Sequence, residues 1–400
     1  MTHNLDQTKG LRTLWIASAW LFVIAAGAGV AFRWGMMSGF PEGLRPDYLR
    51  HGHSHLMLMG WATPALMALM AARWPAQGGR PRHRSVCIVG WSAWVLALVS
   101  FPAFILWGYE SVAIGSANLP VAAILSGFAI FSWYAFAVVY FRAHRGISRT
   151  PTLKLWDIAV ASLVISSFGA WAVAGLMMGG VDSILWEVAT VHFFVELFGA
   201  GWLVLGALGL LRSVVDTKDS TNERFGRILI TMSVAFVFLV GLPRAYAPEL
   251  LPLLGSAAAG LLAAGLALII HSLWPRLDLW CRRVVYFLIL NALMLATIAV
   301  PPLADWGLGA GLRLLYLHLA FAGFVTLALV IIAAVQWGPG TAGSRSAWLA
   351  AVLVLLATLV PMTGLWPSQF GGSWVLSLAF FGSLFATLAA TGACLASLRE

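Results

Sequence analysis

Polar and apolar positions along this chain do not alternate. They separate into long apolar runs divided by brief charged or Pro/Gly-rich breaks. A helix needs about 20 apolar residues to cross a bilayer. Twelve runs of about that length can be read, at roughly 12–33, 51–73, 87–109, 117–141, 155–178, 184–211, 227–247, 250–274, 284–303, 311–336, 345–366 and 373–397. Because the runs are continuous, they predict helices and not the strands of a closed barrel. The first run follows a polar Met1–Gly10 stretch and carries no cleavage-site pattern after it, so it is expected to be a retained helix rather than a signal peptide. The longest polar breaks are Trp74–Val86 and Ser213–Gly226. The expectation is a single all-α transmembrane domain over residues 1–400, with no room for a soluble one.

Composition agrees with lipid as the solvent. The chain is 61% hydrophobic and 10% charged, against about 25% charged in soluble domains. Its mean hydropathy is +0.89. Cys87, Cys281 and Cys394 are too few and too scattered for a disulfide framework or a zinc site. The formal charge of +9 first suggests a nucleic-acid partner. Sorted by span, it becomes a topology record instead. With the N-terminus inside, 19 of the 24 Lys and Arg residues fall on the inner side, and Arg33, Arg45, Arg50, Arg244 and Arg313 on the outer. That bias obeys the positive-inside rule and implies two cytoplasmic termini. The reading is a multi-pass protein of the inner (cytoplasmic) membrane, with the lipid bilayer as partner and no nucleic acid.

An ionisable group inside a span is costly, so each is a functional candidate. His51, His53 and His55 open the second run. His192 and Glu196 lie in the sixth, Arg244 and Tyr246 end the seventh, His271 lies in the eighth, and Tyr316 and His318 lie in the tenth. His83 and His144 sit among arginines in inner loops and are expected to be solvated. Arg50, Glu187 and Arg313 each precede a histidine (His55, His192 and His318) by five residues. If those charges mark the outer interface, the three histidines lie about 7 Å below it on parallel helices, at 1.5 Å per residue. Three histidines at one depth could converge on a haem or a metal.

The second and tenth runs also share a pattern, R-x4-H-L-x3-G-aromatic, at Arg50–Trp61 and Arg313–Phe324. Read physically, this is a bis-histidine haem clamp through His55 and His318, with His53 an alternative to His55. His51 and His55 are spaced for one helical face, a spacing that can bind a transition metal. His192 and Glu196 also share a face. They suit a non-haem iron or similar ion, or they hydrogen-bond each other, or they form a proton path. Arg244 is placed to pair with a haem propionate or with Glu249.

These features resemble subunit I of the haem-copper oxidase superfamily, whose second and tenth spans supply low-spin haem histidines. The local motifs look most like its nitric oxide reductase branch. His192-Phe-Phe-Val-Glu196 resembles that branch's H-x-x-V-E segment, whose His and Glu bind non-haem iron. Tyr316-Leu-His318-Leu-Ala-Phe-Ala-Gly323 resembles its H-x-H-L-A-x-x-G segment, and His53-Ser-His55-Leu fits the other low-spin ligand. The resemblance implies haem b bound by His318 and by His55 or His53. It implies a second metal, iron or copper, near His192 and Glu196, beside the His51 metal-ligand reading that rests on spacing alone, and catalytic roles for Glu196 and Tyr316. It further implies cytochrome c or quinol as electron donor. Two departures stand out: the high-spin haem ligand falls at Tyr316, and Val240–Tyr246 lacks the family's paired histidines. A looser similarity joins His51-Gly-His53-Ser-His55 to the NnrS haem- and copper-containing proteins, whose Gly-His-Thr-Gly-Arg segment has no match here. Two other functions remain open at this point: a His-lined transporter of small solutes or metal ions, and a haem-binding sensor or assembly factor without turnover.

Overall fold

A computed structural model describes residues 2–215 and 218–397. The described residues are almost entirely helical. The helices are α1 (Thr2–Ser38), α2 (Pro46–His55), α3 (Thr63–Arg73), α4 (His83–Trp107), α5 (Val121–Ala143), α6 (Pro151–Gly179), α7 (Ile184–Glu196), α8 (Leu205–Arg212) and α9 (Thr221–Ser233). They continue with α10 (Leu250–Leu273), α11 (Leu279–Ile298), α12 (Pro301–Gly309), α13 (Leu312–His318), α14 (Leu327–Trp337), α15 (Arg345–Leu359) and α16 (Trp374–Ser397). One antiparallel hairpin, β1 (Val112–Ile114) with β2 (Ala117–Leu119), joins α4 to α5. Three pairs are single spans in which a π-helical stretch replaces the middle. These are α2–α3 through Leu56–Ala62, α7–α8 through Leu197–Val204, and α13–α14 through Leu319–Thr326.

Eleven helices among the described residues are long and apolar enough to cross a membrane, so this is a polytopic helical membrane protein. The expected seventh span, 227–247, is not among them. Helix α9 stops at Ser233, and the chain resumes only as a 3-10 segment, Val237–Gly241. Pro243 has no N–H to continue a helix. Leu242 before it is extended, at φ −70° and ψ 136°, as a pre-proline residue prefers. Hydropathy summed over the run does not register that break.

The chain divides into two compact units: residues 1–145 with 329–400, and residues 146–328. Linker composition marks neither boundary. One falls after Arg145 in a short inner loop, and the other inside the continuous span Leu312–Trp337.

In the first unit, α1 packs against α2, α3, α4 and α16, α4 packs against α5, and α15 against α16. Trp61 is buried among Trp15 and Phe22 at ring distances of 5.2 and 5.6 Å. The indole N–H of Trp15 donates to the Thr341 carbonyl at 3.3 Å, and that of Trp337 to the Thr8 hydroxyl at 3.2 Å. Buried tryptophans need such partners.

In the second unit, α6 lies against α7, the π segment after it and α8, while α10 packs on α9 and α11. The α9–α10 contact is backbone to backbone. A Cβ on Gly226 would meet the Gly265 carbonyl at 2.7 Å, and a Cβ on Gly265 would meet the Gly226 carbonyl at 2.7 Å. Small residues permit this approach in lipid. At the inner end, Ser220 caps α9 by accepting from the Glu223 N–H at 3.1 Å. Glu223 in turn accepts from Arg212 at 3.0 Å and from Ser272 at 3.2 Å. Asp219 accepts from Arg227 at 2.7 and 2.9 Å and from Lys154 at 3.0 Å. Arg212 and Arg227, counted by sequence to the expected inner side, are thus structural ties as well.

Candidate functional site

The candidate residues share a local architecture. His55, Glu196 and His318 are each the last α-helical residue before a π segment. Each is followed by Leu and, five residues on, by Gly and an aromatic: Gly60-Trp61, Gly201-Trp202 and Gly323-Phe324. The three aromatics are buried. At each glycine a neighbouring span comes close. A Cβ on Gly60 would meet Leu21 and Leu56 at 2.9 Å, on Gly201 it would overlap Ser162, and on Gly323 it would meet Phe287 at 2.9 Å. The carbonyls left by the wide π turn find partners. Both the N–H and the hydroxyl of Thr63 donate to Leu58 O, the hydroxyl at 2.9 Å. π segments of this kind concentrate at functional sites. The sequence pattern paired only the first and third copies; the second has Glu in place of His and was missed for that reason.

In the second unit the sixth- and tenth-span residues form one polar cluster. Glu196 is 7% exposed, and its carboxylate lies 3.3 Å from Arg313. Tyr316 stands one turn after Arg313 on α13, and its carbonyl accepts from Asn291 at 3.4 Å. His192, one turn before Glu196, rests against Gly241, where a Cβ would overlap the ring. Its Nδ1 is buried and makes no hydrogen bond. Arg313 is therefore turned toward Glu196 rather than serving as a plain marker of the outer surface.

His318 Nδ1 lies 2.8 Å from Leu314 O. A carbonyl only accepts, so Nδ1 carries the proton, and in the neutral ring Nε2 holds the lone pair. This is the tautomer of a metal-ligating histidine whose other nitrogen is fixed by a carbonyl.

The first unit holds the triple-histidine segment. His53 Nδ1 contacts Ala25 O at 2.7 Å, which fixes the same tautomer. His55 has both nitrogens engaged: Nε2 with the Tyr109 hydroxyl at 2.8 Å, and Nδ1 with Ser126 Oγ at 3.1 Å. Its ring lies 4.2 Å from Phe104. His51 meets Tyr109 edge-on at 4.9 Å. The expected convergence joins residues of different units, His55 of the first with His192 and His318 of the second.

Several other expectations are corrected. Arg244 pairs with Asp305 at 2.7 Å rather than with Glu249. Asp305 on α12 is the acid that packing brings near, whereas Glu249 is close only in sequence. His144 is buried at 1% exposure, not solvated, because the inner loop folds over it. Its ring packs on Trp74 and Tyr140 and its Nδ1 bonds Tyr140 O at 2.8 Å. His83 is half-buried, and His271 is exposed. Among the described residues, no three His, Cys, Asp or Glu side chains are grouped to hold a metal ion. His192 and Glu196 thus stand without a third protein ligand, and Arg313 occupies the carboxylate.

No protein-family model and no curated protein matches this chain.

Proposed function

We propose that this is a haem b protein of the cytoplasmic membrane that binds or reduces nitric oxide or dioxygen. The observation that carries the reading is His318: an imidazole at an α–π junction, in the repeated motif, with Nδ1–H fixed on the Leu314 carbonyl. The hydrogen bond alone would not suffice, since His144 makes the same bond against Trp74 and Tyr140, outside the repeated motif. At His318 it coincides with the repeated motif. Within the first unit taken by itself, His53 is held only by a backbone carbonyl, whereas His55 contacts the Tyr109 hydroxyl through Nε2.

When bound, haem b supplies a redox-active iron able to take an electron from a cytochrome c or quinol donor and to hold a diatomic gas. The remaining roles belong to side chains. Arg313 holds the Glu196 carboxylate in place in a medium of low dielectric. Glu196 can keep or release a proton there. His192, one turn away with an unbonded Nδ1, is the next group able to carry one. The Glu196–Arg313 pair favours this proton-handling arrangement over a non-haem iron or copper at His192 and Glu196.

The test is an optical spectrum of dithionite-reduced protein purified after haem-replete expression. Soret and α bands are expected in the wild type and are lost in His318→Ala. A wild-type spectrum without them, or an unchanged variant spectrum, overturns the reading. Consumption of nitric oxide or dioxygen by the reduced protein separates turnover from binding alone.

A further inference from the structure

Arg33 lies in the outer part of α1, 8% exposed. Among the described residues it forms no ion pair. Its one hydrogen bond is from a terminal nitrogen to Gly29 O of its own helix, at 3.4 Å, and its Nε is buried without a partner. A desolvated guanidinium without a counter-charge is costly, and in a span it marks function by default.

The surroundings of Arg33 prepare a seat. Gly29, one turn before it, has no Cβ. A Cβ there would lie 3.1 Å from the His53 ring and 3.6 Å from the Arg33 guanidinium, so the two groups share the space above one glycine. His53 is anchored through Nδ1 to Ala25 O, so its Nε2 holds a lone pair and the ring walls the seat without donating to it; Arg33 alone supplies the donors. No acidic side chain is in contact with either group among the described residues.

We propose that Arg33, with His53 beside it over Gly29, is the seat of an oxyanion group, a carboxylate or phosphate carried on a membrane-soluble ligand. Two sources present that chemistry at this depth: the headgroup phosphate of an anionic lipid, and a propionate of haem b. Arginine suits both, because its planar donors match two oxygens at once. The second source rests on the haem reading above; the first does not.

The test compares wild type, Arg33→Gln, Arg33→Lys and Gly29→Ala, purified in detergent from haem-replete cells. Gly29→Ala keeps the charge but narrows the seat, so it reports on the site even if Arg33→Gln folds poorly. Three quantities are read on folded, monodisperse protein: phospholipid phosphorus per chain, haem per chain, and the gain in Tm on adding phosphatidylglycerol over phosphatidylcholine. If the occupant is a lipid, Arg33→Gln and Gly29→Ala lose bound phosphorus and the phosphatidylglycerol-specific gain, with haem unchanged. If it is a propionate, the same variants lower haem occupancy severalfold, with phosphorus unchanged. Arg33→Lys keeps part of either signal. Unchanged phosphorus, haem and Tm response in both Arg33→Gln and Gly29→Ala overturn the proposal. A chain that binds no haem but loses its lipid in Arg33→Gln overturns the haem reading and leaves this one standing.

Discussion

The carboxylate of Glu196 and the guanidinium of Arg313 meet at 3.3 Å, linking the sixth span to the tenth just outside their π segments. Glu196 is nearly enclosed while Arg313 keeps a third of its side chain exposed. Removing one partner leaves the other uncompensated. Arg313→Leu is expected to destabilise by about 2–3 kcal/mol, below the cost of breaking a fully buried pair because Arg313 is partly solvated. Arg313→Leu with Glu196→Leu should recover most of that loss. Thermal unfolding of the two single variants and the double variant in detergent checks the coupling. Strictly additive losses would mean that the pair does not exist.

Gly226 and Gly265 make a reciprocal demand on each other. Each would drive a Cβ into the other's carbonyl at 2.7 Å, and a backbone atom cannot turn aside as a side chain can. Gly226→Ala and Gly265→Ala should each cost about 1–3 kcal/mol, the usual penalty of overpacking. Gly127 is the control, since nothing lies within 4 Å of its Cβ position. Gly127→Ala should leave Tm unchanged or slightly raised. Equal melting of all three variants would contradict the close α9–α10 approach.

His53 and His55 separate by their partners. His55 is held by Tyr109 and Ser126, His53 only by a backbone carbonyl. On the haem reading, His53→Ala should remove or shift the α band, and His55→Ala should alter it less. Tyr109→Phe removes the hydroxyl from His55 Nε2 and is expected to cost about 1 kcal/mol in stability without loss of haem. The reduced spectra decide it. Loss of the bands in His55→Ala alone would reverse the assignment.

The helical class could be read from the apolar runs because lipid demands them whatever the packing. The break at Ser233–Pro243 could not, although Gly241 and Pro243 stand in plain view. A run keeps its hydropathy when its backbone turns, and only the approach of His192 explains why Gly241 is needed. His318 and His55 drew attention because histidine is rare in a span. Glu196 occupies the equivalent position in the second copy of their motif, and pattern matching on residue identity passed over it. Arg33 and Arg313 were counted as outer charges, since a charge count cannot say which way a side chain turns. The inner-loop His144 was misjudged by the same limit: its neighbours in sequence are arginines, but its neighbours in space are Trp74 and Tyr140.

Acid should loosen the inner end of the second unit through Asp219. Burial opposes its ionisation, but hydrogen bonds from Arg227 and Lys154 outweigh it and hold the carboxyl below its ordinary range. A group whose folded pKa is depressed contributes stability that is fully present above its unfolded pKa, about 3.9 for Asp. The contribution fades as pH falls through the lower, folded pKa. Between pH 7 and 5 the Asp219 term is therefore constant, and the loss is confined to pH below about 4. Asp219→Asn at pH 7 should cost about 2 kcal/mol, since it removes charged hydrogen bonds to a nearly buried Arg227. The variant's deficit relative to wild type should then shrink as the pH is taken down to 3. Tm measured in detergent from pH 7 to pH 3 for both proteins gives the comparison. A deficit that stays constant through pH 3 would show that Asp219 acts by its shape and not by its charge.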